Sequence, residues 1–157
     1  MLKNAVLVLS LFVGSLSFAQ GDFPLGPDEN LTPGAVCTQS GTYRYPEHIK
    51  YCERNVSTNR KKDIYEEYDR LGYRTLSKRG NFKIDHYIPL CAGGANDSKN
   101  LWPQHRTVYE ITDKLEEVLC IKMSEGKLKQ KDAIDLIKDA KNHLEKVPEI
   151  EKYVRSL

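Results

Sequence analysis

No apolar run in this chain approaches the roughly 20 residues a membrane-spanning helix needs. The longest, Ala5–Leu16, is about 12 residues, with Lys3 before it and the small-residue stretch Ser17-Phe18-Ala19 after it, the layout of a signal peptide. Residues 1–19 are therefore read as a leader cleaved near Ala19, and the mature protein as secreted or periplasmic. No cysteine follows Ala19 closely enough to accept a lipid, which argues against a membrane anchor. Cys-x-x-Cys spacing is also missing, so a structural zinc cluster is not expected. Internal repeats and low-complexity tracts are absent, as is any recognisable Ser or Cys grouping for nucleophilic catalysis. Bulk charge says little, because 24 basic and 22 acidic side chains nearly cancel.

Four cysteines, Cys37, Cys52, Cys91 and Cys120, all lie beyond the leader. An even number in an exported chain favours disulfides over free thiols. Three pairings are open to four cysteines; closeness in sequence favours Cys37 with Cys52, which leaves Cys91 with Cys120. The roughly 138 residues left after cleavage suit one domain with a modest core.

Residues 20–36 carry Pro24, Pro27 and Pro33 among Gly and Asp and read as an extended arm that does not pack, with order beginning near Cys37. Residues 37–157 are expected to form a single domain. Thr42–Tyr45 resembles a short strand ended by Pro46. Arg60–Leu71 places Ile64, Tyr65, Tyr68 and Leu71 on one helical stripe stopped by Gly72. Tyr73–Leu76 and Phe82–Leu90 have strand composition, with Arg79-Gly80-Asn81 as the turn of a hairpin. Ala92–Lys99 reads as a loop, with a helix following it. From Thr107 the positions Val108, Ile111, Leu115, Val118, Leu119 and Met123 recur at helical spacing up to Gly126. A last helix spans Lys129 to Val147, with Pro148 as its stop.

The basic residues are unevenly distributed. Arg70, Arg74, Lys78, Arg79 and Lys83 follow one another with no acid between them, a tract suited to polyanions. Just beyond it stand Ile84-Asp85-His86-Tyr87-Ile88-Pro89-Leu90, then Gly93-Gly94-Ala95-Asn96-Asp97, then Asn100-Leu101-Trp102-Pro103-Gln104. Phosphodiester hydrolysis needs a base to activate water and a cation to stabilise the charge that builds on phosphorus and the leaving oxygen. An adjacent carboxylate and imidazole can divide these tasks, Asp85 holding metal and His86 taking the proton. Neighbours on a strand point apart, so both can serve one site only where the strand ends or bends, and Pro89 and the glycines supply that irregularity.

Asp-His-x-Ile-Pro-Leu, Gly-Gly-x-Asn-Asp and Asn-Leu closely resemble the motif of HNH endonucleases, and the continuation Trp-Pro-Gln is similar to an exported bacterial subgroup of them. The likeness covers about Lys83–Gly126. It implies a ββα-metal finger, at about residues 73–125, within an α+β domain that also has a disulfide-bound N-terminal cap and C-terminal helices. By the resemblance His86 is the general base, Asp85 a metal ligand and Asn100 the residue that holds the base in place. The cofactor implied is one divalent ion, Mg²⁺ with Mn²⁺ or Zn²⁺ as alternatives. The activity implied is endonucleolytic hydrolysis of DNA, ahead of RNA, at low sequence specificity, with Arg74, Lys78, Arg79 and Lys83 on the phosphates.

The sequence departs from the family pattern at the third position, where a ligand from the helix is expected and Tyr109 stands instead. Glu110 beside it is a suitable oxygen ligand. It is equally the second half of a Thr107-x-x-Glu110 capping box, and Asp113 and His105 are further candidates for the ligand. Trp102 and Pro103 read as core and helix-start residues. Asn55-Val56-Ser57 matches a glycosylation sequon, a pattern common by chance. His48 and His143 lie outside the motif and read as surface residues. The irregular third position also suits an exported nucleic-acid-binding module that keeps the scaffold without catalysis.

Overall fold

Ser57 sets the start of the first helix. Its backbone is extended and its hydroxyl accepts from the Arg60 amide at 3.2 Å, giving helix α1 over Thr58–Arg70. In the computed structural model, which describes residues 21–157, this helix is one of four among the described residues, beside two small antiparallel sheets. The expected leader lies outside the described residues. No described helix is long and apolar enough to cross a membrane.

The first sheet is a hairpin of β1, Tyr43–Arg44, with β2, Ile49–Lys50. The second pairs β3, Phe82–His86, with β4, Leu101–His105, in a register that sets Asp85 opposite Trp102 and His86 opposite Leu101. This corrects the expected hairpin, since Tyr73–Leu76 is not a strand. Asp69 at the end of α1 captures this stretch instead, accepting from the Thr75 amide at 2.6 Å, the Thr75 hydroxyl at 2.7 Å and the Leu76 amide at 3.3 Å. Carboxylate bonds of this kind compete with a ladder for the same backbone donors. The partner of β3 is Leu101-Trp102-Pro103-Gln104-His105, where a helix start is expected. In a two-stranded sheet the missing Pro103 amide can face away from the partner strand.

β3 is also shorter than Phe82–Leu90. After His86 the chain bends through Pro89 into a 3-10 turn at Leu90–Ala92, closed by Gly93 at φ 82. Gly94 is forced by proximity: a Cβ there would lie 1.8 Å from the Ile88 carbonyl oxygen. The glycine pair thus lets the loop fold back tightly on the end of β3.

Helix α2, Arg106–Ser124, follows β4 directly. His105 caps it, its Nδ1 accepting from the Thr107 amide at 3.4 Å, so Thr107 lies inside the helix and the expected Thr107–Glu110 capping box does not form. Ile111 is exposed, while Thr112 is buried and receives a 2.9 Å bond from the Gln104 amide group. The last helix of the sequence reading is two, α3 at Gln130–Asn142 and α4 at Val147–Ser156, separated by a 3-10 turn at Leu144–Lys146. Pro148 does not stop a helix but sits in the first turn of α4, where no intrahelical amide bond is lost.

Two apolar clusters result. Leu115, Val118, Leu119 and Met123 of α2 share one with Ile137 of α3 and Val154 of α4. The other lies between α1 and the β3–β4 sheet around Ile64, Tyr68, Leu101 and Trp102. Residues 21–36 pack against this second cluster, contrary to the composition-based expectation. Thr32 is buried, with its hydroxyl 2.9 Å from that of Tyr68, and Phe23 stacks on His105 at 3.7 Å between ring centroids. Cys37 is bonded to Cys52 and Cys91 to Cys120, the pairing that sequence proximity favours.

Candidate functional site

Asp85 and His86 end β3, and both are buried, at 5% and 2% relative exposure. Three cations face the Asp85 carboxylate: Arg54 at 3.8 Å, Lys83 at 3.7 Å and Lys141 at 3.6 Å. Burial works to raise the carboxyl, but Lys141 and Lys83 outweigh it and hold it below the usual carboxylate range.

The His86 ring is held from both sides. Arg54 approaches Nδ1 at 3.5 Å, and Asn96 Oδ1 lies 3.0 Å from Nε2. A guanidinium only donates, so Nδ1 is the acceptor and Nε2 carries the proton given to Asn96. The Asn96 amide is itself oriented by donating to the Glu53 carbonyl. Burial, more than any other influence, pulls His86 below its ordinary value, so the ring is neutral near pH 7. A neutral imidazole with its lone pair on Nδ1, beside a charged carboxylate, can accept a proton from water.

Asn100 has no exposure and acts on the backbone rather than on the ring. Its Oδ1 accepts from the Ile88 amide at 2.9 Å, and its Nδ2 donates to the carbonyls of Ile88 and Ala95, each at 3.0 Å. These bonds clasp the Ile88–Ala95 loop shut behind His86.

Helix α2 brings two carboxylates to Asp85. Ligand atoms of Asp85, Asp113 and Glu116 all lie within 4.8 Å of one another. Of the three candidates for the missing ligand, only Asp113 reaches this group. Glu110 is exposed on another side of α2, and His105 is occupied as the helix cap under Phe23. Glu116 is an addition; the Asp113-x-x-Glu116 spacing on a foreseen helix was its only sequence signal.

Lys141 of α3 reaches in from the opposite wall with no exposure. Its ammonium lies 2.6 Å from Glu116 and donates to the His86 carbonyl at 2.6 Å. Burial works against its charge, yet Glu116 and Asp85 hold Lys141 above the usual lysine range. Burial pushes the Glu116 carboxyl up to about 7 against the pull of Lys141. The donors are all hard oxygens; Asp85 Oδ2 has no hydrogen bond, and Glu116 Oε1 meets the Lys141 ammonium. An oxygen-only set suits Mg²⁺ or Mn²⁺ better than Zn²⁺.

Comparison of the chain with protein-family models, with curated proteins and with solved structures finds no match.

The basic tract does not form one surface. Lys78 pairs with Asp22 at 2.8 Å, and Arg74 stands beside the same carboxylate. Arg79 lines a separate hollow with Tyr65 and Leu76. Only Lys83 turns into the site, where it pairs with Asp113 at 2.8 Å. Arg54, which contacts both Asp85 and His86, comes from the irregular segment before α1 and carries no motif signal.

Proposed function

We propose that the protein is an exported, metal-dependent endonuclease of the ββα-metal kind, acting on phosphodiester bonds of nucleic acid. The observation that carries this reading is the buried His86, which shares Arg54 with its neighbour Asp85, while Asp85 meets two carboxylates on the helix that follows the hairpin. The order β3, loop, β4, α2 supports it, because it is the ββα order the motif implies. Two disulfides agree with export.

Asp85, Asp113 and Glu116 would hold one divalent ion. Bound there, the ion supplies charge neutralisation at phosphorus and at the leaving oxygen. His86 Nδ1 takes a proton from water as the water oxygen bonds to phosphorus and the bond to the leaving sugar oxygen breaks; that oxygen takes its proton from solvent. Asn96 fixes the tautomer that puts the lone pair on Nδ1, where Arg54 has to give way to the water. Asn100 keeps the loop closed behind the ring, and Lys141 anchors the His86 backbone.

A second reading has its own support. Lys83 and Lys141 already neutralise Asp113 and Glu116, as a scaffold that binds nucleic acid without cutting it would require. Incubating the purified protein with plasmid and with RNA, in Mg²⁺, Mn²⁺ or EDTA, separates the two. The enzyme nicks in the ion and stops in EDTA; the binding module retards the nucleic acid in every condition and cuts in none.

A further inference from the structure

Asn96 also lines a cleft of about 630 Å³, bounded by residues 35–39, the start of α1 and the loop 95–99. A cleft of that volume can take a ligand of small-molecule size. Beside the hydroxyls of Thr38 and Ser57 and one acid, Asp97, whose carboxylate accepts from the Lys99 amide at 2.9 Å, the walls carry three kinds of group suited to a nucleotide. Arg60 and Lys99 are exposed cations, and neither pairs with a carboxylate among the described residues. Gln39 and Asn55 offer amides that can both donate and accept. Val36, 42% exposed, and the Cys37–Cys52 bridge give an apolar surface. A cation for phosphate, amides for base edges and an apolar patch for a base face together match one nucleotide of a strand.

The cleft is also joined to the chemistry. Asn96 lines it and bonds His86, while Arg54, next to the lining residue Asn55, reaches the other nitrogen of the same ring. We infer that this cleft is the subsite for an unpaired nucleotide flanking the scissile phosphate, so that the protein acts on single-stranded nucleic acid. The inference rests on the nuclease reading for its scissile phosphate, but the cleft itself is testable by binding alone.

The test measures fluorescence anisotropy of a labelled single-stranded oligonucleotide in EDTA, where cutting is stopped, with wild-type protein, Arg60→Glu, Lys99→Glu, Ala95→Trp and the remote Lys152→Glu. Thermal melting checks that each variant is folded. Each charge reversal in the cleft should weaken binding about tenfold and lower the slope of affinity against salt by about one. Ala95→Trp should weaken it without changing that slope, because it fills space and moves no charge, and Lys152→Glu should bind as wild type does. If Ala95→Trp does not fold, the two exposed cations still decide the matter. Unchanged binding by both charge reversals overturns the subsite, as does a duplex of the same sequence that binds as tightly and loses as much. If the parent cuts while the cleft variants cut and bind normally, the cleft is wrong and the nuclease stands. If the parent never cuts but the cleft variants lose the oligonucleotide, the cleft stands as a nucleotide-binding site and the nuclease reading falls.

Discussion

Lys141 is a lysine with no exposure that keeps its charge because three oxygens surround it: Glu116, Asp85 and the His86 carbonyl. Removing one partner of a buried ion pair leaves the other charge uncompensated, which costs about 3–5 kcal/mol. Lys141→Met should therefore lose on the order of that stability in urea unfolding, and Glu116→Gln added to it should recover part. A single variant as stable as wild type would show that the ammonium does not hold this corner together. Glu116 gives a pH signature. With its folded value raised to about 7 from an ordinary 4.5, the folded state keeps a proton that the unfolded state has released. Stability from this group is thus full below about 4.5 and lost as pH rises through about 7. In EDTA, wild type should lose stability relative to Glu116→Gln between those limits, measured by paired melts; parallel curves would contradict it. Asp85, His86 and Asn100 were legible because one stretch of sequence carries all three in a recognisable order. Arg54, Glu116 and Lys141 were not, because they meet Asp85 only after α1, α2 and α3 have packed, and no local pattern records that meeting.

Helix α2 decides which acids can face the end of β3. At 3.6 residues per turn Glu110 lies about 120° around the helix from Glu116, whereas Asp113 sits between them. Titrating Mn²⁺ by calorimetry should show Asp113→Asn and Glu116→Gln weakening binding by about tenfold or more, while Glu110→Gln leaves it unchanged. Loss of affinity in Glu110→Gln alone would mean that the helix turns a different face to the ion. The helix itself was readable from Val108, Leu115, Val118, Leu119 and Met123, since helical periodicity survives small errors in the start. The strand before it was not. Trp102-Pro103 suggests a helix start by composition, and only the pairing with Phe82–His86, set by tertiary contact, makes it β4. The split between α3 and α4 was missed for a related reason: proline is tolerated in a first turn and forbidden in an interior, and the sequence alone does not say which applies to Pro148.

At the scale of the whole molecule the two disulfides fasten the parts that meet around the candidate site. Cys91–Cys120 ties the loop after β3 to α2, and Cys37–Cys52 braces the wall beside Asn96. Losing either should cost about 2–5 kcal/mol in a domain of this size. Non-reducing mass mapping should find these two pairs in protein recovered from the exported fraction, and four free thiols there would remove the argument for export. The central claim, that His86 is the base of a phosphodiester hydrolase, is tested most directly by single-turnover cleavage of a labelled single-stranded oligonucleotide, with supercoiled plasmid beside it, by wild type and His86→Ala in Mg²⁺. The account predicts cleavage that EDTA abolishes and that the variant, folded by circular dichroism, performs at least about 10² more slowly. A parent that cuts nothing in Mg²⁺, Mn²⁺, Ca²⁺ or Zn²⁺, or a variant within a few-fold of the parent, would contradict it.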